Sequence, residues 1–124
     1  MNSMSFLADD AQACLIAKAV VTEETPFGPD VLVYKVAGKM FATLGFEGAV
    51  GRMNLKCAPE RALELREEWE GILTGYHMNK KHWNTLVLDG TLPGPLVAEL
   101  IDHSYELVID GMTKVQREAY ENAC

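Results

Sequence analysis

Val50-Gly51-Arg52-Met53-Asn54-Leu55-Lys56-Cys57 decides the fold. Val50, Arg52, Asn54 and Lys56 go to one side of an extended chain, and Gly51, Met53, Leu55 and Cys57 go to the other. A period of two belongs to a β-strand. One polar face and one packed face belong to an antiparallel sheet covered on a single side. Upstream, the β-branched run Val31–Val36 and the segment Lys39–Phe46 flank Ala37-Gly38, a hairpin turn. Glu47-Gly48 then turns the chain into Val50–Cys57.

Helical spacing frames these strands. Ser5 to Val21 places Phe6, Leu7, Ala11, Cys14, Leu15 and Lys18 at helical intervals, and the cluster Thr25-Pro26-Phe27-Gly28-Pro29 follows its end. Pro59 suits the first turn of a second helix, where a missing N–H costs nothing. Ala62, Leu65 and Trp69 form that helix's apolar stripe, which ends near Gly71. Asn84–Leu88 reads as a strand closed by Asp89-Gly90. Pro95 to Asp110 carries Val97, Leu100, Ile101, Ser104 and Val108 on one face and stops at Gly111. Thr113-Lys114-Val115-Gln116 has the capping-box pattern and opens a last helix. The order α-β-β-β-α-β(β)-α-α predicts an α+β two-layer sandwich, a mainly antiparallel sheet with helices on one face. No repeat, linker or low-complexity tract divides residues 1–124, so one domain is expected.

The chain has 124 residues, 48% of them apolar, enough for a core without staples. No apolar run reaches the length needed to cross a bilayer, and Met1–Asp10 does not read as a signal peptide. Cys14, Cys57 and Cys124 are odd in number and form no CxxC pair, which suits reduced thiols in a cytoplasm. The formal charge of −7 is unevenly spread. Residues 35–81 hold eight Lys/Arg against six acids, and the remainder holds three against twelve. Screening acts over about 8 Å at physiological salt, so a local basic patch works despite distant acids. The net charge mainly cuts long-range attraction of a polyanion.

Several stretches in fixed order carry a resemblance. They are Glu24-Thr25-Pro26-Phe27-Gly28, the run 33–41 (Val-Tyr-Lys-Val-Ala-Gly-Lys-Met-Phe), and Asn54-Leu55-Lys56-Cys57-Ala58-Pro59-Glu60. The run 75–85 (Gly-Tyr-His-Met-Asn-Lys-Lys-His-Trp-Asn-Thr), residues 100–105 and Leu107-Val108 complete the set. On these the chain resembles the MmcQ/YjbR family over nearly its whole length. The resemblance implies a fold related to secretion chaperones, grouped by some schemes with the bacterial frataxin CyaY. It also implies similarity to the "double wing" domain of a phage transcription activator, the source of the family's DNA-binding label. Shape alone does not establish function. Three positions depart from the family pattern. Lys18-Ala19-Val20 stands where Leu-Pro-Gly is common, which lets the first helix run on longer. Thr74 stands where proline is usual. Ala58 holds a helix-cap position often given to Asp or Ser, at a cost of roughly 1 kcal/mol.

Two readings compete for the basic residues. In one, Lys35, Lys39, Arg52, Asn54 and Lys56 share the exposed sheet face with Phe41 between them and Lys80–Lys81 at the rim, and bind DNA phosphates without sequence preference. In the other, a half-exposed sheet simply needs polar residues, and its lysines blunt an edge. The stretch His77-Met78-Asn79-Lys80-Lys81-His82-Trp83-Asn84 divides the same way. Asn79, Lys80, Lys81 and His82 offer donors to an anion. Alternatively, Trp83 anchors the strand start in the core while His77, Asn79 and Asn84 satisfy loop backbone groups. His77 and His82 lack a third ligand for a metal. Asp102-His103 are helix neighbours that do not face each other. Neither a phosphate-cradling glycine loop nor GxSxG is present, so neither cofactor nor enzyme activity is expected. The remaining class is a protein-interaction or chaperone-like module with a protein partner.

Overall fold

The computed structural model describes residues 6–75 and 78–124. Ten elements follow in order: α1 (Ala8–Ile16), β1 (Val21–Glu24), β2 (Val31–Val36), β3 (Lys39–Glu47), β4 (Val50–Lys56), α2 (Pro59–Glu68), β5 (Ile72–Thr74), β6 (Trp83–Leu88), α3 (Gly94–Asp110) and α4 (Lys114–Ala123). The strands form one sheet in the order β1-β2-β3-β4-β6-β5, and every neighbouring pair is antiparallel. This is the α+β sandwich read from the sequence, with β1 added.

The β2–β3 hairpin turns on Ala37 and Gly38, both with positive φ (47° and 84°). Two such residues match the right-handed twist of the flanking strands. Just beyond the turn the register slips: Tyr34 pairs with Ala42 but Lys35 pairs with Met40. Phe41 is the extra residue of a β-bulge, which turns its ring towards the helices. It is fully buried and meets Tyr105 edge-to-face, with centroids 5.4 Å apart.

α3 lies over the sheet, and its expected stripe (Val97, Leu100, Ile101, Ser104, Val108) is buried together with Tyr105. Ser104 is the one hydroxyl in that stripe, and it is paired twice. Its Oγ donates to the Phe41 carbonyl (2.6 Å) and accepts the Lys56 N–H (2.9 Å), tying β3 to β4. Ala8 of α1 packs directly on Gly51, where a Cβ would lie 2.8 Å from the Ala8 methyl. α2 sets Ala62 and Leu65 into the same layer. Fully burying a side chain such as Leu44, Met53 or Leu86 stabilises by about 1.5–3 kcal/mol. α4 buries no residue. Its capping box is formed in both directions (Gln116 N–H to Thr113 Oγ1 3.2 Å, Thr113 N–H to Gln116 Oε1 2.9 Å).

Three expectations change. The first helix does not reach Val21 but ends at Ile16, and Val20 takes a left-handed conformation (φ 62°). Val21–Glu24 then becomes edge strand β1. Ile72–Thr74 forms a second short edge strand beside β6, so the partner of β6 precedes the loop instead of following it. Among the described residues, no helix is long and apolar enough to cross a membrane.

Candidate nucleic-acid interface

Register fixes which side chains share the sheet face away from the helices. One row runs Val31, Gly45, Arg52, Val87, and the next runs Val33, Thr43, Asn54, Thr85. Lys35 lies opposite Met40, and Lys56 lies opposite Trp83. Lys35, Arg52, Asn54 and Lys56 therefore stand on one face. Lys39 does not join them. It pairs with Val36, whose side chain is buried in the helix-side core, so Lys39 is out of phase with Lys35 at the hairpin end. The bulge removes Phe41 from this face as well.

Two of the remaining cations are compensated. Lys35 Nζ sits 3.2 Å from Glu24 Oε1, and Arg52 Nη2 sits 2.9 Å from Glu47 Oε1. The Thr22 hydroxyl, and after it Lys35, holds the Glu24 carboxyl below its ordinary range. Exposed pairs of this kind add little stability. They do cancel the charge a polyanion would read. Asn54 Oδ1 accepts the Thr85 hydroxyl at 2.5 Å. The centre of the face is polar and close to neutral.

One end of the face differs. Lys56, Lys80 and Lys81 make no ion pair with any described carboxylate. The loop carrying Lys80 and Lys81 is organised by Asn79. Its Oδ1 accepts the Lys81 N–H (2.9 Å), and its carbonyl accepts the N–H groups of His82 (3.2 Å) and Trp83 (3.0 Å). Arg66 Nη1 donates to the Lys80 carbonyl (3.1 Å), fastening the loop to α2, while Cys57 N–H donates to the His82 carbonyl (2.8 Å). Lys80 and Lys81 are exposed, and His82 is half-buried.

Trp83 stands at the strand start, but not in the helix-side core. It is half-buried on the open face opposite Lys56. Gly75 passes directly beneath it: a Cβ at 75 would lie 2.7 Å from Trp83 Cβ, and Gly75 N–H donates to the Trp83 carbonyl at 3.0 Å. Asn84 does not serve the loop either. It points to the helix side, is 2% exposed, and donates to the Ala62 carbonyl of α2 at 3.4 Å. His77 lies outside the described residues.

A polar cluster missed in the sequence lies beneath α2. His103 Nε2 accepts the Ala58 N–H at 3.2 Å, and Arg61 forms a two-pronged pair with Glu99. Burial, then Arg61, pushes the His103 pKa down, and burial pushes the Cys57 thiol up. Burial thus favours the thiol of Cys57 over the thiolate that acts as nucleophile. Asp102 pairs with Lys18 rather than with His103. The available signal was Ala58 itself, a helix entry with no acceptor of its own.

The YjbR family model matches residues 16–107. An Escherichia coli O157:H7 protein, "Uncharacterized protein YbdF", is 38% identical over 89 residues, covering 72% of this chain and 73% of its own length. A crystal structure of a Deinococcus radiodurans protein with domain DUF419 superposes with TM-score 0.85 at 36% identity, covering 98% of this chain and 92% of that one. A Pseudomonas syringae crystal structure gives 0.72 at 30% identity, over 87% and 99% respectively. The shared fold carries no statement about a ligand.

Proposed function

The chain belongs to the YjbR family, and we propose that it binds DNA weakly and without sequence preference through Lys56, Lys80, Lys81 and the Trp83 indole. The Lys56–Trp83 pair carries this reading: an ammonium group with no carboxylate partner among the described residues stands across from an indole on the open face. Two further ammonium groups lie in the loop that leads into that indole. Cations attract phosphates, and an aromatic ring stacks on any base, so the combination suits a single strand better than a duplex whose bases are already stacked. The footprint is narrower than the whole face, because Glu24 and Glu47 neutralise Lys35 and Arg52.

Three phosphate contacts on a single strand give a salt slope of roughly −2 in log K against log salt. Anisotropy titration of a labelled oligothymidylate at several salt concentrations tests this. Lys56→Glu with Lys80→Glu abolishes binding, whereas Lys35→Glu leaves it nearly unchanged. Binding indifferent to salt, or lost equally with Lys35→Glu, removes the proposal.

A protein-interaction module is the second reading, favoured by Phe46. Its ring is 56% exposed at the end of β3, beside a groove of about 440 Å³ shared with Pro29, Leu32 and Leu44. A partner seated there binds with little salt dependence and is lost with Phe46→Asp.

A further inference from the structure

Gly45 sits in the middle of β3, where a side chain is expected to pack. The fold does not require glycine there. Its φ is not left-handed, and an added Cβ would meet only the Asp30 carbonyl at 3.7 Å and Val31 Cγ2 at 3.8 Å, ordinary contacts. Gly51 and Gly75 differ, since each has a neighbour under 3.0 Å. Glycine inside a strand weakens it and marks a bulge, a tight bend, or the close approach of a ligand or another backbone; Gly45 pairs in regular register with Val31 and Arg52, so it is not a bulge.

The missing side chain leaves a depression of about 400 Å³ on the open face, lined by Val31, Thr43, Arg52, Asn54 and Thr85. Arg52, the cross-strand partner of Gly45, spends Nη2 on Glu47. Its Nε is shielded from water and has no acceptor among the described residues. A shielded N–H with no acceptor is costly, so a small shift of the Arg52 side chain that brings this N–H to an arriving acceptor is favoured.

We propose that this depression binds a small monocarboxylate, with its oxygens on the Arg52 guanidinium and a compact apolar body against Val31. An arginine fork fits a carboxylate in two-pronged geometry. Glu47 already compensates Arg52 and Asp30 adds a second negative charge, so a monocarboxylate binds weakly, through hydrogen bonding, and a phosphate dianion is a poor occupant. The site lies four residues along β4 from Lys56 and does not depend on DNA binding.

The test is an amide-resolved NMR titration of the full chain with benzoate, benzamide and inorganic phosphate. Benzoate gives saturable shifts at residues 43–47 and 52–54, with Kd on the order of 1 mM, and benzamide and phosphate give much weaker ones. Gly45→Val and Arg52→Gln each remove the benzoate shifts. Gly45→Ala melts at or above the wild-type temperature, as expected where the glycine serves a ligand and not the fold. No saturable benzoate shift, unchanged shifts in Gly45→Val, phosphate binding as tightly as benzoate, or a clearly lower melting temperature for Gly45→Ala would each overturn the proposal.

Discussion

His103 Nε2 of α3 accepts the backbone N–H of Ala58 at the entry of α2, 3.2 Å away. In a capping box the third helical residue does this job, but that residue is Arg61, which can only donate. A ring from the neighbouring helix takes its place. Ala58 itself has no side-chain acceptor to offer.

That bond makes stability pH-dependent. An imidazolium has no acceptor, so protonation breaks the cap. Burial first, then the Arg61 guanidinium, depresses the folded His103 pKa, while Glu99 and Glu106 pull the other way. A depressed histidine stabilises fully above its unfolded pKa of about 6.5 and loses that contribution as pH falls through the lower folded value. The melting temperature therefore drops between pH 7.5 and pH 5. His103→Leu starts lower at pH 7.5 and shows a flatter profile across that window, which calorimetry at several pH values measures. An equally steep profile in the variant would assign the loss to other groups.

Val20 stores strain. A β-branched residue at φ 62° pays for close approach of its Cβ to the backbone, a cost of roughly 1–2 kcal/mol that glycine avoids. The Val20 carbonyl accepts the Ala37 N–H at 3.2 Å, so this turn also connects to the β2–β3 hairpin. Val20→Gly keeps that bond and relieves the strain, offset partly by lost packing of a half-buried side chain. A gain of about 1 kcal/mol in urea-unfolding free energy is expected. A loss would mean that Val20 packing outweighs its backbone strain.

The sequence was legible wherever one residue decides its own environment. In β4 each second residue is buried, and in α3 each named stripe residue is buried, because period and burial coincide. Features set by pairing between strands were hidden. β1 and β5 have four and three residues, too few to show alternation. The bulge at Phe41 depends on register, and a one-residue slip sends a side chain to the opposite face. The bulge also puts Lys39, which pairs with Val36, out of phase with Thr43 and Gly45 on the same strand. The compensation of Lys35 by Glu24 required β1 to exist, so the whole-face cationic surface failed with the missed strand.

Gly75 is needed for close approach rather than for its φ. An added Cβ lies 2.7 Å from Trp83 Cβ and 2.9 Å from the Trp83 carbonyl oxygen, and the latter is backbone that cannot rotate away. Gly75→Ala is expected to destabilise by about 1–3 kcal/mol, the usual cost of overpacking. It also displaces the indole. On the proposed role in DNA binding, affinity for oligothymidylate then falls even though no cation is removed, and anisotropy at a temperature where the variant is folded measures this separately from stability.

Arg66 separates loop positioning from charge. Its Nε holds the Ala62 carbonyl (3.2 Å) and its Nη1 holds the Lys80 carbonyl (3.1 Å), so the guanidinium is spent on two backbone oxygens. Arg66→Met keeps much of the stem but releases Lys80 from α2. If Lys80 and Lys81 work because the loop is held, affinity for oligothymidylate falls several-fold while the salt slope stays near its wild-type value, since the number of phosphates neutralised is unchanged. If instead Arg66 contacts phosphate directly, the slope shrinks by roughly 0.7. Titrations of wild type and variant over the same salt series tell a positioning residue from a binding one.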